Sequence, residues 1–147
     1  MAFTDSSVGK IKTMTTHTLP IRVYYEDTDA DGIVYHGAYI YMAERGRTEF
    51  LRSEGTSIRA VNENLDMTFV VRALTIEYSK PAVLDDLLTL KTHVKTIKNS
   101  SFVMQQDFYR GDDLMASVDV TLVCVSADGI KPVRMPEELR KIFKNGE

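Results

Sequence analysis

Fourteen consecutive residues, Tyr24 through Gly37 (Tyr-Tyr-Glu-Asp-Thr-Asp-Ala-Asp-Gly-Ile-Val-Tyr-His-Gly), concentrate the groups able to do chemistry in this chain. Four carboxylates, Glu26, Asp27, Asp29 and Asp31, fall within six positions, directly after a strand-like run and directly before a long apolar helix. Carboxylates packed this closely repel one another, a cost that a purely structural turn need not carry. The helix that follows lacks an N-cap side chain. Tyr35, His36 and Gly37 offer no Ser, Thr, Asp or Asn, and the first turn (Ala38, Tyr39, Ile40, Tyr41) carries no acid. Its orphan backbone N–H groups are left free to bind something else. A carboxylate beside such donors is suited to attack on a carbonyl and to holding the oxyanion that results.

Two plainer readings compete. Asp27-x-Asp29-x-Asp31-Gly32, with Val34 two residues later, matches the first eight positions of an EF-hand calcium loop, but the twelfth, which should supply a bidentate Glu, is Ala38. The preceding flank, Ile21 to Tyr25, is also strand-like rather than helical. A solvated acidic turn without function is the other alternative, and it leaves the uncapped helix unexplained. His36 stands at the expected helix start, seven residues after Asp29. Its backbone N–H can serve as an oxyanion donor; its imidazole either walls the site or merely precedes a helix. His17 and His93 share no ligand spacing with it, and no Cys pair or His-Glu-x-x-His run supports zinc.

Elsewhere the signals are weaker. Cys124 falls on the inward-alternating face of Val118, Val120 and Leu122, which favours a buried core thiol over a nucleophile. No Gly-x-Ser-x-Gly elbow and no Gly-rich phosphate loop occurs. Tyr39, Tyr41 and Met42 read as core. Arg72, Lys80, Lys98, Lys131 and Arg134 lie near strand ends or turns, where they could meet the phosphates of a nucleotide-bearing substrate.

The elements that must position these groups follow from periodicity. Leu19 to Tyr25 has strand propensity, with Pro20 where an edge tolerates it. Ala38 to about Arg52 is helical, with Tyr39, Met42, Ala43, Phe50 and Leu51 on one side and Gly55 as the stop. Ala38 to Ala43 is apolar almost all round, as in an enclosed helix. A short helical turn fits Ser57 to Asn64. The period then changes to two through Leu74–Tyr78, Leu88–Val94, Phe102–Phe108 and Ala116–Cys124, punctuated at Lys80-Pro81, Lys98-Asn99-Ser100, Gly111-Asp112-Asp113 and Asp128-Gly129. Pro136 to Lys144 reads as a short amphipathic helix. Short connections predict that the later strands form one antiparallel meander. The pattern is α+β: a single curved antiparallel sheet wrapped around a long central helix. Such a layer leaves an open flank that self-association covers.

Composition narrows the function classes. A chain of 147 residues fits one domain, expected over residues 17–147 behind a flexible tail at 1–16. The net charge of −3 gives no basic footprint for nucleic acid. The single cysteine excludes an internal disulfide and suits a reducing compartment. No apolar run approaches a membrane span and no signal peptide is apparent, so the cytoplasm is the expected location.

These residues also carry a resemblance. Val23 to His36, followed by Tyr39 and Glu44-Arg45-Gly46-Arg47-Thr48-Glu49, is similar to the hotdog-fold acyl-CoA thioesterases. The closer likeness is to the 4-hydroxybenzoyl-CoA thioesterase-like branch and, within it, to the Tol-Pal-associated bacterial enzymes. Phe69-Val70-Val71-Arg72, Glu77-Tyr78 with Pro81-Ala82, and Leu84-Asp85-Asp86 extend it, so that it runs from about Ile21 to Pro136.

The resemblance implies a hotdog fold assembled as a homodimer or homotetramer. It implies hydrolysis of acyl-CoA without metal or prosthetic group, with an acyl carrier protein as a further conceivable partner. The family's catalytic aspartate maps onto Asp29, as nucleophile or general base, and its helix N-terminal amide onto His36. Tyr35, Gly37, Arg72 and Lys98 are the expected substrate contacts. Asp31 departs from the glycine or other small residue that the resemblance leads one to expect at this position. A non-catalytic acyl-carrier or partner-binding module using the same groove is the alternative, distinguished by whether free thiol is released.

Overall fold

The computed structural model describes residues 16–145; the expected tail, 1–16, lies almost wholly outside them. Five strands, β1 (His17–Arg22), β2 (Met67–Tyr78), β3 (Leu87–Ile97), β4 (Ser101–Arg110) and β5 (Asp113–Ser126), form one antiparallel sheet in the order β1-β3-β4-β5-β2. Helix α1 (Ala38–Ser53) packs on it, with α2 (Ile58–Leu65) and α3 (Glu137–Asn145). No helix among the described residues is long and apolar enough to cross a membrane.

The helix forms where the apolar spacing put it. Tyr39, Met42, Ala43, Phe50 and Leu51 are all buried. Gly46 brings the middle of α1 close to the sheet: a Cβ there would stand 2.5 Å from Leu90 and 2.8 Å from the Gln106 amide nitrogen. That amide donates to the Ala43 carbonyl at 2.8 Å and to Thr92 at 3.0 Å, and Arg47 donates to the Gln106 carbonyl oxygen at 3.0 Å. Buried Gln106 and Thr92 are thereby satisfied. Gly55, at φ +88°, ends the helix in the left-handed region as its position predicted. Ser57 caps α2 by accepting the Ala60 N–H at 3.0 Å.

The core divides along α1. Its N-terminal half, with Ala38, Tyr39 and Met42, packs on Val23, Leu88, Phe108 and Val118. Its C-terminal half, with Phe50 and Leu51, meets Phe102, Leu122, Leu139 and Phe143, where the Phe102 and Phe143 rings stack at 4.4 Å. Cys124 is buried in this second cluster, and burial pushes its thiol pKa up to about 11, as befits a core thiol rather than a nucleophile.

Three expectations change. The first strand ends at Arg22, because Val23 leaves the ladder to bond Asp86 and a single 3-10 turn, Tyr25–Asp27, follows. The first half of α1 is not enclosed all round in one chain: Ile40 is 48% and Tyr41 37% exposed. The meander holds only β3, β4 and β5, since β2 pairs with β5 at the far edge from β1. The connection over residues 79–86 is too long for a hairpin turn and crosses the start of α1 instead. That crossing builds the site.

Candidate active site

The acidic run folds into two successive turns. In the first, the Asp27 side chain is turned inward, 4% exposed; one of its oxygens accepts the Tyr24 N–H at 2.8 Å and the other accepts the Tyr41 hydroxyl. The Asp27 N–H donates back to the Tyr24 carbonyl at 2.9 Å, closing the turn on itself. In the second, the Asp29 N–H donates to the Ile33 carbonyl at 2.9 Å and the Gly32 N–H to the Asp29 carbonyl at 3.0 Å. Gly32 closes this turn at φ +79°, a conformation open to glycine at little cost. Asp29 Oδ1 accepts the Asp31 N–H at 2.9 Å, while Oδ2 meets no donor among the described residues. Three acids thus point three ways: Asp27 into the protein, Asp29 half-buried at a cleft, Asp31 into solvent.

The start of α1 is uncapped, as its sequence required. Gly37 occupies the N-cap at φ −75° and ψ −16°, with no side-chain hydrogen bond, and the first turn is free of acids. The carbonyls just upstream are occupied: Tyr35 accepts the Ala38 N–H at 2.8 Å, and His36 accepts the Tyr78 hydroxyl at 2.8 Å. No acceptor among the described residues meets the N–H of His36 or of Gly37. Both therefore remain available to an anion at the positive end of the helix dipole.

Asp29 and His36 line one cleft of about 310 Å³, together with Tyr39, Tyr78, Lys80 and Pro81. Tyr39 comes from the first turn of α1 and Tyr78 from the end of β2, while Lys80 and Pro81 arrive on the crossing segment, where the Val34 N–H donates to the Ala82 carbonyl at 2.8 Å and Ile33 bridges Val83. Tyr39 is buried and edge-on to Phe108, and burial raises its phenol pKa. Burial and the nearby Tyr35 raise that of Tyr78. Lys80 is paired with Asp113 at 3.0 Å on the surface.

Of the other expected contacts, Tyr35 is exposed with its ring against His36 at 4.4 Å, and Gly37 gives that ring room, since a Cβ there would lie 2.6 Å from it. Arg72 and Lys98 do not line the cleft of their own chain. Arg72 is exposed at the β2 bulge, six residues or about 20 Å of strand before Tyr78. Lys98 sits in the β3–β4 turn, at the other end of β3 from Leu88. A second recess of about 280 Å³, lined by Arg47, Phe50, Phe69 and Phe102 among others, lies beside the C-terminal half of α1 and holds none of these residues.

Tyr78 and Tyr39 are the cleft residues that local pattern did not single out. A tyrosine ending a strand before Lys-Pro is visible in sequence, but its bond to a carbonyl 42 residues away is not.

A carboxylate with one unclaimed oxygen and a free His36 N–H share one cleft at the start of a helix packed on an antiparallel sheet, and the architecture is that of the hotdog fold. Family comparison agrees: residues 23–143 match the model of the thioesterase-like superfamily. The chain belongs to that family and is a hotdog-fold thioesterase akin to the bacterial YbgC enzymes. The acyl-CoA thioesterase YbgC of Haemophilus influenzae is 39% identical over 126 residues, 86% of this chain and 93% of that protein. The acyl-CoA thioester hydrolase YbgC of Escherichia coli is 40% identical over 126 residues, 85% of this chain and 93% of that protein. The crystal structure of a probable thioesterase from Bartonella henselae is 36% identical, with a TM-score of 0.79 over 83% of this chain and 100% of its own.

Proposed function

We propose that this chain hydrolyses acyl-coenzyme A to free acid and coenzyme A, with Asp29 as nucleophile or general base and the His36 N–H as oxyanion donor. The observation that supports this reading is the cleft lined by both Asp29, one of whose oxygens is unclaimed among the described residues, and His36, whose N–H likewise meets no acceptor. The YbgC relatives, matched over almost their whole length, supply the substrate class.

As the thioester carbonyl is attacked, by Asp29 or by water that Asp29 deprotonates, its oxygen gains charge and the amides and dipole at the start of α1 stabilise it. Collapse of the tetrahedral intermediate breaks the C–S bond and expels the CoA thiolate, which takes a proton on leaving; where Asp29 is the nucleophile, water then opens the acyl–Asp29 anhydride, releasing the free acid and restoring the carboxylate.

The edge of the sheet supports a second element of the reading, a homodimer or a multiple of it. Among the described residues β2 has no neighbour on its outer side, and it exposes Val70, Val71 and Tyr78, an edge that a second copy can pair with and cover. Because Arg72 lies far along β2 from the cleft of its own chain, its role as a phosphate contact requires CoA to cross the subunit boundary. Lys98 is likewise remote.

Thiol release from acyl-CoA over a range of chain lengths, with light scattering on the same sample, tests the proposal. Turnover by an associated species is expected. Saturable binding without thiol release would make the protein a non-catalytic module and overturn the assignment.

A further inference from the structure

Two consecutive amides just before α1, those of His36 and Gly37, meet no acceptor among the described residues, and each is aimed by the carbonyl of its own peptide unit. A trans peptide is planar, so its C=O and N–H point in opposite directions, and no peptide bond among the described residues is cis. The Tyr35–His36 unit is held through the Tyr35 carbonyl, which accepts the Ala38 N–H at 2.8 Å. The next unit, His36–Gly37, is held through the His36 carbonyl, and there the donor is a side chain: the Tyr78 hydroxyl at 2.8 Å.

We infer that Tyr78 is a positioning residue for hydrolysis: by holding the His36 carbonyl, its hydroxyl fixes the direction of the Gly37 N–H, which serves as a second oxyanion donor beside that of His36. This rests on the hydrolytic reading above. A carbonyl has no hydrogen to give, so the phenol must be the donor in this bond. Hydrogen bonding at the C=O of an amide polarises the whole unit and strengthens its N–H as a donor, so the contact both orients and activates Gly37.

The Tyr78 ring is braced for this work. It meets Tyr39 edge-on at 5.6 Å, and Tyr39 in turn meets the core ring of Phe108 edge-on at 5.1 Å. Its hydroxyl, at the last residue of β2, thus ties the first turn of α1 to the sheet edge. A purely structural role is a poor account of it, because the residue is 51% exposed and its hydroxyl serves an exposed carbonyl that water could satisfy.

Two variants test the inference. Tyr78→Phe deletes only the hydroxyl. It should lower kcat about tenfold, short of the loss expected when an oxyanion donor is removed outright, with KM and Tm close to wild type. Gly37→Pro deletes the second donor itself at a φ of −75°, which proline adopts, although the Tyr35 ring must move aside. It should cost at least as much as Tyr78→Phe.

Because Tyr78 acts through the Gly37 N–H, the double variant should be no slower than Gly37→Pro alone. Multiplicative losses in the double variant would overturn the inference. So would a Tyr78→Phe enzyme with unchanged kcat, one with raised KM alone, or one with lowered Tm alone. If Gly37→Pro does not fold, the kcat, KM and Tm of Tyr78→Phe decide by themselves. Wild-type thiol release and its loss in Asp29→Asn, measured alongside, report on the hydrolytic reading separately.

Discussion

Two turns share one run of fourteen residues, are each built around an aspartate, and end in opposite states. The turn at Tyr24–Asp27 closes on itself: both Asp27 oxygens accept protein donors and the carboxylate is buried. The turn at Asp29–Gly37 stays open, with an Asp29 oxygen unclaimed and the next helix uncapped. A carboxylate whose lone pairs are filled holds structure, and one left partly unfilled can react. Aspartates two positions apart therefore divide the work, Asp27 carrying the fold and Asp29 the proposed chemistry.

Substitutions at the two should separate cleanly. Asp29→Asn should lower turnover at least about a hundredfold, as for loss of a principal base or nucleophile, with the melting temperature nearly unchanged. Full turnover in a folded Asp29→Asn protein would erase the distinction between the turns. Asp27→Ala should do the reverse. It leaves the Tyr24 N–H and Tyr41 hydroxyl without their acceptor, so urea unfolding should show a loss of about 2 kcal/mol while turnover per folded molecule changes little. A deep activity loss without destabilisation would mean that Asp27 belongs to the chemistry.

Gly32 tests what the open turn requires of its backbone. A Cβ there would touch nothing within 4 Å, so Gly32→Ala probes the φ of +79° alone. The expected cost is about 1 kcal/mol in denaturant unfolding, with a modest loss of turnover as the Asp29 loop shifts. No change in either quantity would show that the turn reshapes freely and does not fix Asp29.

The contrast between the turns also marks where sequence runs out. The uncapped helix, its buried face and its glycine stop were readable because each depends on residues within a few positions: Gly37 and the acid-free first turn, Tyr39 through Leu51, Gly55. The same locality made Cys124 legible as core through its alternation with Val118, Val120 and Leu122. Which acid turns inward was not readable, because Asp27 is selected by Tyr41, fourteen positions later in the first turn of α1. The strand order failed for a related reason. Periodicity finds β2 but carries no signal that its partner is β5 rather than β3, and the crossing that brings Tyr78 to His36 depends on that choice. Local chemistry was visible, whereas contacts made by returning segments were not.

The closed turn should finally betray itself in alkali. Burial first, then the hydrogen bond and charge of Asp27, push the Tyr41 phenol pKa up to about 12 from its ordinary 10. The unfolded chain therefore releases this proton earlier as pH rises, and the folded state binds more protons in the interval between the two values. Stability contributed by Tyr41 is fully present below about pH 10 and falls as pH climbs toward 12. The side chain is 37% exposed, so solvent screens the interaction and the fall is shallow. Tyr39, Tyr78 and Cys124 also have raised values and lose stability in the same direction, so the wild-type curve alone cannot isolate Tyr41. The difference between wild type and Tyr41→Phe can, because the other groups cancel. Measured as melting temperature by circular dichroism from pH 9 to pH 11, that difference should be constant at first and then narrow. A difference that stays flat across the range would mean that Tyr41 does not seal Asp27, and the closed turn would need another explanation.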